Sequence, residues 1–307
     1  MRGDRGRSLS TKDVFRTQDD RFEGLTGYDF EPTYLDLQGE LDGLRMHYVE
    51  EGTGDPIVLL HGEPTWAYLY RKMIPTLAGA GRVVAPDFVG FGRSDKPTDR
   101  DWYTYERHTD SVVQLVGALD LRGITVVVQD WGGPIGLRAA VEHTDRFARL
   151  VILNTAIYRP GPNWPSEAFL QWRNFAERNP DLPIGFVLQS ATVTELPDEV
   201  IAAYEAPFPT PESKAGAAAF PLLVPLTEDD PGAKEMGEVR EALARWDRPA
   251  LVAFSDSDPI FPLRAGEKMA ERIPGAREFV PIEGASHFLQ EDKGEDVARV
   301  IEKFLQS

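Results

Sequence analysis

The stretch at residues 124–133, ITVVVQDWGG, limits the possible folds of this chain more than any other. It begins with a β-branched apolar run, which is typical of a strand buried on both faces. After Gln129 come Asp130, Trp131 and two glycines, and residues 134–141 then read as a helix with proline in its first turn. A strand, one reactive type of residue in a glycine-flanked turn and a helix together predict a nucleophile elbow.

The acid in this turn has a structural and a chemical interpretation. An Asp between a strand and a helix commonly caps the first turn of that helix. However, Gly132 and Gly133 suit a backbone with unusual dihedral angles, and Trp131 is bulky for a plain turn. The chain contains no cysteine and no Gly-x-Ser-x-Gly sequence. In a hydrolytic fold, Asp130 is therefore the nucleophile available at the expected place.

Buried strands alternate with helices along most of the chain. The first two strands alternate apolar and polar residues, which predicts an antiparallel start. The later strands are continuous apolar runs, so we predict an α/β fold with a mostly parallel central sheet and helices on both faces. The predicted strands are 33–37, 45–50, 57–60, 82–86, 124–128, 150–153, 250–254 and 278–282, and the clearest helices are 106–120, 134–141 and 291–305.

The composition changes after Asn154, and this change predicts the domain organisation. Residues 156–240 are rich in proline and aromatic side chains and contain no clean buried strand, so we predict an inserted helical cap. Residues 21–155 and 241–307 form the predicted main domain. Residues 1–20 carry positive charge without an apolar run, which predicts a disordered tail and not a secretory signal.

The charge balance and the lack of cysteine exclude several classes of function. Fifty acidic against 33 basic residues give a net charge of -17. Such a surface repels phosphate backbones, so we expect no nucleic-acid partner. Without cysteine there is no disulfide, thiol catalysis or cysteine-ligated metal, and a reducing compartment is favoured. No apolar run reaches the length of a membrane span. We expect a cytoplasmic monomer with no membrane partner.

A base and an acid are expected to accompany the nucleophile. In elbow hydrolases the order along the chain is nucleophile, acid, histidine. His287 lies between the last predicted strand and the last helix, which makes it the predicted base, whereas His61 is better placed to hold its loop. The acid belongs in the loop after the penultimate strand, where Asp256 and Asp258 compete. We favour Asp258, because prolines fix the course of its loop, and Asp256 is suited to a turn.

An aspartate nucleophile predicts a different reaction from a serine. A carboxylate displaces a leaving group from saturated carbon and forms an alkyl ester on the enzyme. Water activated by His287 then attacks the ester carbonyl, so the oxyanion develops on the side chain of Asp130 itself. Backbone amides aimed at that oxygen stabilise it, and the candidates are the amides of Trp131 and Glu63.

The leaving group is either a halide or an epoxide oxygen. An epoxide requires proton donors, for which Tyr158 and Tyr204 are candidates, whereas a halide is well held by neutral indole N–H groups. Trp131 supplies one indole, and spacing alone does not choose between Trp164 and Trp172 for a second. A third interpretation is a non-catalytic module that keeps a small ligand under the cap, but the complete set of nucleophile, acid and base argues against it.

Several motifs resemble those of the haloalkane dehalogenases in the α/β-hydrolase superfamily, in particular the subfamily whose second halide-binding tryptophan comes from the cap. The resemblance extends from about residue 14 to residue 305. Its most specific parts are the sequences HGEPTW and QDWGG, which a hydrolase fold alone would not require. The matching stretches are 61–66, 68–75, 85–97, 126–133 and 204–209.

The resemblance implies hydrolysis of a small neutral haloalkane to an alcohol, a halide ion and a proton, without metal or organic cofactor. Epoxide hydrolysis remains the first alternative. Pro134 stands where some members have a bulky aromatic residue, which affects the expected substrate size. The implied roles are Asp130 as nucleophile, Asp258 as acid, His287 as base, Glu63 and Trp131 in the oxyanion hole, the Glu63 side chain near the hydrolytic water, Trp131 and Trp172 as halide ligands, and Phe169, Phe220, Pro221, Val224, Ile260 and Phe261 as pocket walls.

Overall fold

A computed structural model describes residues 13–161 and 164–307. Its strands match each strand predicted from the sequence to within a few residues, except at the start of β8. The strands are β1 (Val14–Phe15), β2 (Thr33–Asp36), β3 (Arg45–Glu51), β4 (Pro56–Leu60), β5 (Arg82–Pro86), β6 (Lys96–Pro97), β7 (Ile124–Val128), β8 (Phe147–Leu153), β9 (Ala250–Ser255) and β10 (Ala276–Ile282).

The helices fall between these strands and within the predicted cap. None of those described is long and apolar enough to cross a membrane. The helices are α1 (Ile74–Ala78), α2 (Tyr105–Ala118), α3 (Gly132–Glu142), α4 (Glu167–Arg178), α5 (Ile184–Ser190), α6 (Asp198–Glu205), α7 (Ala215–Ala219), α8 (Ala233–Leu243), α9 (Leu263–Arg272) and α10 (Leu289–Leu305).

Eight strands form one sheet in the order β10-β9-β8-β7-β4-β5-β3-β2. Among the described strands of this sheet, β3 alone runs opposite to the other seven, so the prediction of a mostly parallel α/β sheet with an antiparallel start is confirmed. The chain passes from β4 to β5 in one direction and then returns past β4 to β7. Because such crossovers are right-handed, α1 lies on one face of the sheet and α2 and α3 lie on the other.

The centre of the sheet places the functional loops. All five residues of β4 and all five of β7 are buried. Each such aliphatic side chain contributes roughly 1.5–3 kcal/mol to folding. Leu60 pairs with Val128, and Val128 pairs with Ile152, so the carboxyl ends of three strands are level. The loops that follow them therefore meet at one edge of the sheet.

The prediction of a disordered tail over residues 1–20 is wrong for the part that the structure describes, while the first twelve residues lie outside it. Strand β1 pairs with β6. The Arg16 guanidinium donates to both carboxylate oxygens of Asp95, at 2.7 and 2.6 Å. The Thr17 hydroxyl donates to the carbonyl of Pro207 at 2.8 Å. These partners are distant in sequence, so no local pattern of apolar residues reveals the order.

The segment between β8 and β9 contains α4 to α8. The proposed cap boundary at residue 240 falls inside α8, which continues to Leu243 and packs against α3 of the main domain. The boundary drawn from composition therefore cuts a helix, because α8 is amphipathic like the cap helices although it contacts the main domain.

Candidate active site

The turn between β7 and α3 places Asp130 in a left-handed backbone conformation, with a φ of 47°. Such a conformation costs a non-glycine residue on the order of 1–3 kcal/mol, so the surroundings must hold it. The amide of Asp130 donates to the carbonyl of Asn154 at 2.9 Å, and the Thr155 hydroxyl donates to the carbonyl of Asp130 at 2.5 Å. A Cβ atom on Gly132 would lie 2.1 Å from the carbonyl oxygen of Leu60, so this position requires glycine.

Backbone amides converge on the carboxylate of Asp130. The amide of Glu63 donates to Asp130 Oδ1 at 2.9 Å. Gly62 allows this approach, because a Cβ atom there would lie 2.2 Å from the same oxygen. Burial raises the pKa of Asp130, while His287 and the amides of Trp131 and Glu63 act to lower it. The amides of both predicted oxyanion donors thus act on the carboxylate of the predicted nucleophile.

His287 and Asp258 form a close pair beside Asp130. His287 Nδ1 lies 2.9 Å from Asp258 Oδ2, and His287 Nε2 lies 3.7 Å from Asp130 Oδ2. The other oxygen of Asp258 accepts the amides of Ile260 at 2.7 Å and Phe261 at 3.0 Å. These donors fix the carboxylate, which in turn orients the imidazole.

The charges of this pair shift both pKa values. Burial acts to raise the pKa of Asp258, but His287 and the amides of Phe261 and Ile260 together outweigh it, so the pKa is lowered. Burial acts to lower the pKa of His287, but the carboxylate of Asp258 outweighs it, so the pKa is raised. Each partner therefore favours the charged form of the other.

The competing acid, Asp256, lies away from the histidine. Its side chain is exposed and accepts the amide of Gly284 at 3.1 Å. Asp256 is thus a turn former, as its alternative interpretation expected. Of the two acids that the sequence left open, Asp258 is the one that contacts His287.

His61 joins two loops and does not reach the cavity. Its Nε2 accepts the amide of Phe88 at 2.9 Å, and its Nδ1 lies 2.8 Å from the carbonyl of Gly62. Burial lowers the pKa of His61 to about 4, so the ring is neutral and can make both bonds. This loop-holding geometry matches the interpretation favoured from its position.

The side chain of Glu63 faces the cavity with one oxygen, Oε1, left without a hydrogen-bond partner among the described residues. Burial, followed by the charge of Asp130, raises the pKa of Glu63 well above its usual range. A buried carboxyl with an open oxygen is suited to hold a polar group, such as a water molecule, beside Asp130.

The cavity that contains Asp130 has a volume of about 160 Å³ and a mostly apolar lining. Five of the six predicted wall residues line it. Its lining residues are Glu63, Asp130, Trp131, Tyr158, Phe169, Trp172, Val187, Ser190, Ala191, Pro221, Val224, Pro259, Ile260, Phe261, His287 and Phe288.

The prediction that Phe220 is a wall residue is wrong, because its ring lies behind the wall. It packs edge-on against Trp131, with ring centroids 5.3 Å apart, and against His108 at 4.7 Å. Pro134 is likewise absent from the lining, and its carbonyl accepts the hydroxyl of Tyr105 at 2.8 Å. Phe220 thus packs behind Trp131, and Pro134 is bonded to a residue that does not line the cavity.

The sequence did not identify the wall residues on α5 and directly after it, which are Val187, Ser190 and Ala191. A short apolar helix in a segment of several such helices carries no sign of which face meets a ligand. Phe288 also lines the cavity, and its place directly after His287 was a signal that could have found it.

The two candidate cap tryptophans have different surroundings. Trp172, on α4, lines the cavity together with Trp131. Trp164 does not line it, and its indole N–H donates to the carbonyl of Pro225 at 3.1 Å. Of the two, the structure brings Trp172 to the cavity shared with Asp130.

The two tyrosines required by the epoxide alternative are not brought together. Tyr158 lines the cavity. The hydroxyl of Tyr204 instead donates to the carboxylate of Glu291, which also pairs with Arg71. Tyr204 therefore belongs to a buried polar cluster between the cap and α10.

Comparisons with known proteins agree with this geometry. A family model described as alpha/beta hydrolase fold matches residues 55–294. A haloalkane dehalogenase of Psychrobacter cryohalolentis is 46% identical, over 95% of this chain and 98% of the relative. Haloalkane dehalogenase 1 of Mycobacterium tuberculosis is 51% identical, over 93% of this chain and 96% of the relative. The chain belongs to the haloalkane dehalogenases.

A solved structure extends the likeness to three dimensions. The tetrameric haloalkane dehalogenase DpaA from Paraglaciecola agarilytica superposes with a TM-score of 0.89 at 38% identity, covering 94% of this chain and 97% of that one. As a haloalkane dehalogenase, the chain is a hydrolase that acts on carbon–halide bonds, with a halogenated alkane as substrate and a halide as product.

Proposed function

We propose that this haloalkane dehalogenase works through a covalent alkyl ester on Asp130. The observation that carries the proposal is the position of the Asp130 carboxylate. One oxygen accepts the amide of Glu63 at 2.9 Å, and the other lies 3.7 Å from His287 Nε2. Trp131 and Trp172 share the same small apolar cavity.

In the first step, Asp130 Oδ2 attacks the halogen-bearing carbon, the C–O bond forms, and the halide leaves with the bonding electrons. Burial removes water from the carboxylate, which makes it a stronger nucleophile towards a neutral substrate. The indole N–H groups of Trp131 and Trp172 hold the departing halide. They are neutral donors on apolar bodies, so they bind an anion without bringing a counter-charge into the cavity.

In the second step, water attacks the carbonyl carbon of the ester. His287 Nε2 takes the proton, and Asp258 stabilises the imidazolium through Nδ1. The negative charge develops on Asp130 Oδ1, where the amides of Glu63 and Trp131 stabilise it. One such donor is typically worth about 10²–10³ in rate. When the intermediate collapses, the bond between the carboxyl carbon of Asp130 and the alkyl oxygen breaks, and the His287 imidazolium gives its proton to that oxygen, so the alcohol leaves. The Asp130 carboxylic acid then releases a proton and becomes a carboxylate again.

The Glu63 side chain positions the hydrolytic water in this proposal. Its Oε1 is buried without a described partner and lines the cavity that contains Asp130. A water molecule bound to this oxygen would lie in the cavity that Glu63 shares with Asp130 and His287. We also infer that the chain belongs to the subfamily whose second halide ligand comes from the cap, and the position of Trp172 in the cavity wall supports this inference.

Size and charge limit the substrate in this proposal. A cavity of about 160 Å³ with apolar walls fits a small neutral haloalkane. The net charge of -17 disfavours anionic substrates. We further propose that the enzyme is a cytoplasmic monomer that uses no metal or organic cofactor. Light scattering measures the mass of the protein in solution and so tests the monomer. Halide release in the presence of a chelator tests whether a metal is needed.

An isotope experiment tests the covalent mechanism directly. Excess enzyme is mixed with 1-bromobutane in H₂¹⁸O for a single turnover. If Asp130 supplies the oxygen, the first butanol formed contains ¹⁶O and the label enters the carboxylate of Asp130. Butanol that carries ¹⁸O from the first turnover would mean direct attack by water and would refute the proposal.

A further inference from the structure

Tyr158 follows β8 and occupies the aromatic wall of the cavity that contains Asp130. Its side chain is buried, and its ring centroid lies 5.9 Å from Trp131 and 5.1 Å from Trp164. The proposed mechanism gives this residue no role. Its ring continues the apolar wall, but its hydroxyl brings a hydrogen-bond donor into that wall.

The hydroxyl of Tyr158 differs from those of buried tyrosines that have structural partners. Tyr70 donates to the carbonyl of Leu60 at 2.8 Å, and Tyr103 donates to the carbonyl of Pro97 at 2.7 Å. Within residues 13–161 and 164–307, no such acceptor is found for Tyr158, although it is buried and lines the cavity.

The other hydroxyl in the cavity wall is already used. Ser190 donates to the carbonyl of Val187, at 2.9 Å, within its own helix. Burial raises the pKa of Tyr158 well above its usual value, and the charge of Asp130 adds to this effect. The phenol therefore stays protonated and acts as a donor at physiological pH.

We propose that the Tyr158 hydroxyl forms a subsite for an acceptor oxygen, an ether or alcohol oxygen, on the carbon chain of the haloalkane. When a purely aliphatic substrate displaces water from the cavity, the hydroxyl loses its partner, which weakens binding. A substrate with an oxygen at the matching position restores the hydrogen bond. This inference rests on the proposed function and predicts that, among small haloalkanes, the enzyme prefers those that carry an oxygen in the chain.

Two bromides of equal chain length isolate the effect. The compounds 1-bromobutane and 2-bromoethyl methyl ether differ only by a CH₂ group in place of an oxygen. The ratio of their kcat/KM values is measured for the wild type and for Tyr158→Phe, so that intrinsic differences in reactivity cancel. Tyr103→Phe is the matched control, because it removes a buried tyrosine hydroxyl that is bonded outside the cavity.

Tyr158→Phe is expected to lower kcat/KM for the ether about 10-fold relative to the alkane, which corresponds to about 1.4 kcal/mol. Tyr103→Phe is expected to leave that ratio unchanged, and thermal unfolding checks that both variants are folded. Equal losses on the two bromides, accompanied by weaker bromide inhibition, would make Tyr158 a third halide donor and would overturn the proposal. The proposal would also be overturned if Tyr158→Phe kept the wild-type ratio and the wild-type kcat/KM for both bromides.

The same measurements separate this inference from the function on which it rests. If the wild type releases bromide from neither compound, the proposed covalent dehalogenation fails. If it turns over 1-bromobutane but Tyr158→Phe leaves the ratio unchanged, the oxygen subsite alone fails.

Discussion

Replacing His287 with Gln should separate the two steps of the proposed reaction. The substitution removes the base whose Nε2 lies 3.7 Å from Asp130 Oδ2, but it leaves the amide of Glu63 on Asp130 Oδ1. Alkylation does not require the base, so it should continue. Hydrolysis should slow by about 10²–10⁴-fold, the usual contribution of a general base. A loss of about 10³-fold raises the barrier by roughly 4 kcal/mol.

The assay is a burst experiment with 1-bromobutane. One bromide per active site should appear at once, followed by very slow release, and the intact protein should gain the mass of one butyl group on Asp130. His287 lowers the pKa of Asp130, against the raising effect of burial, so the variant should be tested at mildly alkaline pH to keep the nucleophile charged.

Asp130→Asn is the matched control, because asparagine also tolerates the left-handed backbone but cannot form the ester. It should give neither burst nor adduct. The reasoning would be refuted if folded His287→Gln protein released bromide at the wild-type steady rate, or showed a burst without a covalent adduct.

Two further predictions concern the halide site and the base. Trp172→Phe should weaken product inhibition by bromide about 10-fold, since it removes a neutral hydrogen bond to a charged ligand. Trp164→Phe should change this inhibition little, because its N–H is bonded to Pro225; comparable weakening in both would contradict the assignment. Hydrolysis of the alkyl-enzyme should fall as the pH drops through the pKa of His287, which the Asp258 carboxylate raises against the lowering effect of burial. In Asp258→Asn the pH below which hydrolysis slows should be lower than in the wild type. Single-turnover rates measured across pH check this prediction.

The sheet could be predicted because its signals are local. An uninterrupted apolar run such as β7 has few alternatives to a strand buried on both faces. The two-residue pair of β1 and β6 gave no such signal, since pairing so short leaves no periodicity. The prediction of a disordered tail was wrong from Val14 onward because this segment is ordered by polar bonds to residues about 80 and 190 positions away in the sequence. Such bonds leave no local pattern of apolar residues.

The candidate site was predictable where chemistry restricts the residue type. Asp130 and His287 each follow the carboxyl end of a strand, and such ends meet at one edge of a parallel sheet. The sequence could not predict which aromatic side chains line the cavity and which pack behind its wall. Phe220 lies behind Trp131, while Tyr158 faces the cavity, and only tertiary packing distinguishes them.

The N-terminal segment also sets a condition for exchanging the cap between relatives. Thr17 and Arg21 donate to the carbonyls of Pro207 and Ala206 in the segment between α6 and α7, and Arg16 is bonded to Asp95 in the main domain. Because the acceptors are backbone carbonyls, a transplanted cap keeps these bonds only if its backbone brings carbonyl groups to the same places beside Thr17 and Arg21. The cap and the N-terminal segment therefore have to fit each other in such an exchange, although six of the eight strands of the sheet separate them in sequence.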